Sequence, residues 1–153
     1  MTEPDPKVKW LALTDFTKPQ QSYYNPGMAA VFLAQYAANR SDEKALELGR
    51  AFLDLNIRGI SAQFDDISSV QICKFGWGSA AMLIADPEGD HLRHVARMGR
   101  WFIDRQARDG SWSPSSFLVQ MPSDIDKMLK TAEHAMEVDV IMSALGSHLG
   151  RLN

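Results

Sequence analysis

An internal echo at about fifty residues constrains this chain more than any other feature. Gly49-Arg50-Ala51-Phe52-Leu53-Asp54 returns as Gly99-Arg100-Trp101-Phe102-Ile103-Asp104, fifty positions later. Gly27-Met28-Ala29-Ala30 returns as Gly78-Ser79-Ala80-Ala81, fifty-one positions later. Two matches in one register point to a repeated structural unit. Such a unit cannot bury its apolar face alone and must stack on its neighbour.

The hydrophobic spacing says what the unit is. Pro26 stands at a helix start, where its missing N–H costs nothing. Residues 28–39 are apolar almost all round, which predicts a buried helix. Ser41 is the expected N-cap of the next helix, over 43–56. There Ala45, Leu48, Phe52 and Leu55 recur at intervals of three and four, as on one face of an amphipathic helix. The second copy has the same order: an apolar stretch over 79–85, a Pro87-Glu88-Gly89 turn, and a helix with Leu92, Val95, Gly99, Phe102 and Gln106 on one face. A third unit begins near Asp124, read as a cap, and runs to about Leu145 or beyond. Residues 57–73 and 109–124 read as loops, with a short extended piece at 70–73. The expected fold is all-α: about two and a half tandem helical hairpins, greasy helices inside and amphipathic ones outside. Residues 1–22 form an irregular lead-in whose Trp10, Leu11 and Leu13 tuck against the core, and 23–153 form one helical domain.

Composition narrows the function classes. Of 153 residues, 45% are hydrophobic and 23% charged, as in a packed domain. No apolar run approaches the roughly 18 residues that a membrane span needs. The acidic, Pro-rich start is unlike a signal peptide, so a cytoplasmic location is expected. A single Cys excludes a disulfide framework, and a net charge of −3 argues against a nucleic-acid partner.

The segment Phe102-Ile103-Asp104-Arg105-Gln106-Ala107-Arg108-Asp109-Gly110-Ser111-Trp112 carries an aromatic residue, a Gln four positions on, then Gly-x-Trp. It resembles the QW motif of terpenoid cyclases of the squalene–hopene type. Similar D-G-S-W loops occur in six-hairpin α/α toroids that include sugar epimerases and glycosidases. The resemblance implies hairpins of the α/α-toroid type. The cyclase acid motif D-x-D-D is missing: Gln63-Phe64-Asp65-Asp66 lacks its first Asp, and no D-D-x-x-D follows.

Toroid geometry would bring the N-termini of the inner helices to one rim. The candidate substrate-binding residues there are Tyr23, Tyr24, Asn25, Trp77 and Trp112. The candidate catalytic residues are Lys74, Asp109, His134 and Glu137, with Glu133 one turn before Glu137. Burial of a carboxylate at such a rim would raise its pKa toward acid–base work. Each has a structural alternative: packing aromatics, a core histidine, or acids paired with Lys130. Cys73 and His134 could face one cavity, but no second Cys joins them, so no metal or other cofactor is expected. His91 and His94 read as a solvated outer face.

Three functions compete. One is a small cyclase, isomerase or lyase acting on a hydrophobic small molecule. Another is a carbohydrate-active toroid fragment, epimerase- or glycosidase-like, and the last a non-catalytic interaction module. A closed six-hairpin ring needs about twice this length. Either a homodimer pairs two halves, or the lead-in plugs the opening.

Overall fold

The computed structural model describes residues 14–65, 70–116 and 118–151. Within them lie α1 (Asn25–Arg40), α2 (Glu43–Arg58), the short α3 (Ala62–Asp65), α4 (Cys73–Ala85), α5 (Leu92–Arg105) and α6 (Asp124–Gly150). There is no named strand among the described residues, only an isolated parallel bridge between Ser22 and Val70. Trp10, Leu11, Leu13 and Asp66 lie outside the described residues.

The most apolar helix is the hub. α4 packs on α1, α2, α5 and α6, and buries Phe75, Gly76, Gly78, Ala80, Met82 and Leu83. A helix apolar on every side can be stable only with neighbours on every side. α1, α4 and α6 form the inner layer and run in the same direction. Gly27 of α1 lies on the Lys74 backbone of α4, while Ala37 and Ala38 share a cleft with Ala85. Further round, Lys74 meets Glu133 and Glu137 of α6, Gly76 faces Ile141, and Arg151 donates to the Ile84 carbonyl at 3.4 Å. The amphipathic α2 and α5 lie outside.

Several local expectations need correcting. Ser41 does not cap α2. It adopts the left-handed conformation that closes α1, and Asp42 caps α2 by accepting from the Ala45 N–H at 3.2 Å. Ser123, not Asp124, caps α6, in a reciprocal capping box with Asp126. In α2 the buried ridge is Ala45, Gly49, Leu53 and Asn56, while Leu48, Phe52 and Leu55 are exposed. Gly49 decides this, because its missing side chain lets the Met82 sulfur sit against the helix. Part of the 57–73 loop is helical, since α3 buries Phe64 and α4 starts at Cys73. In α5, Val95 and Phe102 are buried as expected, but Leu92 is exposed. His91 and His94 are not solvated: His91 bonds Asp86 at 2.8 Å, and His94 meets the edge of Phe75.

The greasy helices are not covered on all sides by described residues. α1 exposes Met28, Phe32 and Tyr36 along one stripe, and α6 exposes Ile125, Met128, Leu129 and Met142. The described end of the lead-in docks on the α2–α3 connection. There the Phe16 carbonyl accepts from the Ile60 N–H at 2.9 Å, and the Phe16 ring lies 6.0 Å from that of Tyr23.

Candidate functional site

α4 and α6 are parallel neighbours, so the first turn of α4 faces the third and fourth turns of α6. That register places Lys74 against Glu133 and Glu137, which share one side of α6. The Lys74 ammonium bonds both carboxylates, and Lys130 bonds Glu133 at 2.7 Å. Burial works against the charge on Lys74, but the two carboxylates outweigh it and hold its pKa above the ordinary lysine value. Burial likewise opposes ionisation of Glu133, yet its bonds to Lys130 and Lys74 bring its pKa down to about 2. Its lowered value makes this ion pair a source of stability above pH 4.5 that is lost as the pH falls toward 2.

Glu137 and His134 are both fully buried. Glu137 accepts Lys74 on one oxygen and holds His134 Nδ1 at 2.9 Å with the other. The His134 ring stands edge-on to three aromatic rings, with centroids at 5.0 Å for Phe102, 5.9 Å for Trp112 and 6.0 Å for Trp101. Burial lowers the His134 pKa, against the opposing pull of Glu137. Burial thus favours the neutral ring, and Glu137 opposes it.

The other ring nitrogen also meets an acceptor. His134 Nε2 faces Gln71 Oε1 at 3.1 Å, and Gln71 Nε2 donates to the Ser113 carbonyl at 3.1 Å. The Ser113 bond fixes the amide so that an acceptor, not a donor, meets Nε2. Both ring nitrogens thus face acceptors, so a ring carrying both protons satisfies Gln71 and Glu137 together, while a neutral ring satisfies one of them.

His134 borders a cavity of about 270 Å³ together with Phe64, Gln71, Trp101, Arg105 and Trp112. Ser113, Pro114, Ser115, Val119 and Pro122 also line it. Bonds within the α5–α6 connection hold Trp112 in place. Gln106 donates to the Gly110 carbonyl at 3.0 Å, Gly110 takes a positive φ of 85°, and the Trp112 indole donates to the Phe102 carbonyl at 2.9 Å. The Arg105 guanidinium lies over Trp101, 4.5 Å from the ring centroid, and bonds the Phe64 carbonyl. Arg105 and His134 both lie against Trp101, 4.5 and 6.0 Å from its ring centroid. A second cavity, of about 220 Å³, lies beside the ion cluster and is bordered by Tyr24, Cys73, Lys74 and Glu133.

Of the residues singled out in the sequence, the fold gathers Lys74, His134, Glu137 and Trp112, with Tyr24 at the second cavity. Asp109 stands apart, exposed and folded back on Ser111 at 2.7 Å, and that bond lowers its pKa. Tyr23 is a core residue whose hydroxyl donates to the Lys18 carbonyl. Asn25 opens α1, and Trp77 lies 5.4 Å from the Lys74 ammonium, but neither borders the two cavities. Gln71, Arg105 and Ser115 belong to the cavity and carry no sequence signal, being loop residues or the last turn of a helix.

Cys73, His134 and Glu137 offer three ligand atoms within 4.8 Å of one another. Holding a cation there requires the Cys73 thiol to ionise and Lys74 to release Glu137. Burial, helped by the nearby Glu137 charge, pushes the thiol pKa far up, which opposes the first step. Glu137 already has Lys74 on one oxygen and His134 on the other.

Compared with protein-family models, curated proteins and solved structures, the chain shows no significant match to any of them.

Proposed function

We propose that this protein is a proton-transfer enzyme, of the isomerase or lyase kind, acting on a small ring-bearing molecule in the His134 cavity. The observation that carries the reading is the orientation of His134. It is buried, held by Glu137 at Nδ1, and meets Gln71 through Nε2 on the edge of an aromatic cavity. Once substrate displaces the Gln71 amide, His134 Nε2 takes a proton from carbon next to a carbonyl. The electron pair left behind moves to the carbonyl oxygen, where the Arg105 guanidinium balances the new charge. Returning the proton to a different carbon completes an isomerisation, and expelling a leaving group instead completes an elimination. The apolar lining from Phe64, Trp101, Trp112 and Val119 favours an apolar substrate body over a hydroxyl-rich one, so this reading is preferred to a carbohydrate-active one. The toroid and cyclase resemblance of the sequence is compatible with it.

The test is solvent exchange. In heavy water with a panel of cyclic ketones and ring-bearing carboxylic acids, the protein is expected to exchange the hydrogen next to the carbonyl. His134→Asn should slow this by about 10²–10⁴-fold with the fold intact. Exchange by His134→Asn at the wild-type rate, or none with any compound, overturns the proposal.

The bare stripes on α1 and α6 favour a second reading that is compatible with the first: a homodimer in which each stripe is covered by the partner copy. Light scattering is expected to give twice the chain mass. Phe32→Glu, which charges the centre of the α1 stripe, should return the protein to a monomer. A wild-type monomer at micromolar concentration overturns the dimer.

A further inference from the structure

Five buried side-chain polar atoms among the described residues lack a hydrogen-bond partner: Ser22 Oγ, Asn56 Oδ1, Ser79 Oγ, Ser115 Oγ and His148 Nδ1. Only Ser115 also borders the His134 cavity. It is 2% exposed, and its hydroxyl has no partner within the protein. Its neighbours are not short of partners. The Ser115 carbonyl accepts from the Leu118 and Val119 N–H groups, and Trp112 N–H donates to Thr131 Oγ1 at 3.0 Å. An unsatisfied buried hydroxyl is costly to a fold, and packing alone would be served as well by Ala.

We infer that Ser115 is a substrate-binding residue, whose hydroxyl waits for an oxygen substituent on the ligand. This rests on the reading that the His134 cavity binds a small molecule, and it sharpens the chemistry of that molecule. The aromatic walls take a flat ring system. Arg105 supplies the cationic end: it bonds the Phe64 carbonyl, stands 3.9 Å from the Asp65 carboxylate, and has further N–H donors for a ligand. Ser115 supplies a neutral donor-acceptor on the loop wall. The ligand class is a ring-bearing carboxylate with a hydroxyl or keto group, whose oxygen substituent Ser115 recognises and whose ring carbons His134 reaches.

The experiment uses the full chain and two probes, a hydroxynaphthoic acid and the parent naphthoic acid, with binding read by calorimetry. The wild type is expected to bind the hydroxylated probe about tenfold more tightly. Ser115→Ala should bind both equally, at the affinity of the parent acid. Without ligand, Ser115→Ala should melt no lower than the wild type, and about 2–4 °C higher if relieving the orphan hydroxyl gains the usual amount. Equal binding of the two probes by the wild type overturns the inference. So does a preference that survives in Ser115→Ala, no binding of either probe at millimolar concentration, or a melting point several degrees lower in Ser115→Ala. His134→Gln separates this from the proposed chemistry. It should lose solvent exchange yet keep the tenfold preference, whereas a preference that vanishes in Ser115→Ala alongside full exchange in His134→Asn would sink the base and spare the binding residue.

Discussion

Lys74→Met is expected to destabilise the protein by about 3–5 kcal/mol, read as a fall in the urea midpoint at constant slope. The side chain removed is one of three cations or imidazoles around two acids. Glu133 keeps Lys130, so it is not stranded. Glu137 is fully buried and is left with His134 alone. Taking one partner from a buried ion pair leaves a charge that neither water nor protein compensates. The double variant Lys74→Met, Glu137→Leu should recover part of the loss, because it removes the stranded charge but leaves buried His134 Nδ1 without its partner. A single variant within about 1 kcal/mol of the wild type would show that the pair is not worth what its burial implies. The variant also tests the site, since removing a nearby cation should raise the His134 pKa and move the pH profile of solvent exchange upward.

Gly27→Ala is expected to be at least as damaging, by about 3 kcal/mol or more, with a thermal midpoint lower by about 6 °C or more. A Cβ built on Gly27 would lie 2.0 Å from the Lys74 carbonyl oxygen and 2.5 Å from the Phe75 nitrogen. Those are backbone atoms of α4, which cannot rotate out of the way. Reciprocally, a Cβ on Gly78 would lie 2.6 Å from the Gly27 carbonyl oxygen. The two glycines let α1 and α4 touch backbone to backbone in their first turns, and Lys74 and the ion cluster are mounted on that contact. Gly146→Ala is the control. It lies inside α6 with nothing within 4 Å of the new methyl, so the higher helix propensity of Ala should stabilise it by up to about 1 kcal/mol. Equal effects of the two substitutions would refute the close-contact argument.

The repeat positions Gly27 and Gly78 illustrate how much of the fold is legible in the sequence. Their shared G-x-A-A pattern marks the two inner helices, and in the structure the same glycines meet each other. The apolar stretches of α1 and α4 likewise announce the inner layer, because a helix without a polar face has to find neighbours. The faces of the outer helices were harder to read. In α2 the larger residues Leu48, Phe52 and Leu55 define the more obvious stripe, yet the ridge through Gly49 and Leu53 is the one that packs. A small residue creates a groove by what it lacks, and hydrophobic spacing is blind to that.

The site was legible in pieces. Lys74, His134, Glu137 and Trp112 each stand out as residues of reactive or binding type near a helix start or a turn. Asp109 stands out for the same reason, and it sits exposed, because its side chain is spent on shaping the 109–111 turn. Gln71, Arg105 and Ser115 complete the cavity and are ordinary polar residues in their local sequence.

The sequence by itself determined that the fold is all-helical, where its long helices lie, and that greasy and amphipathic members alternate. These depend on residues three to seven positions apart, or on one segment copied into another. Only the tertiary structure decided that Lys74 meets acids 59 and 63 positions away, that Gln71 turns its carbonyl oxygen to His134, and that Ser115 is left buried without a partner. Those facts follow from the register between α4 and α6 and from the path of two loops. Register and loop path are fixed by how surfaces interlock across the core, which no periodicity along the chain encodes.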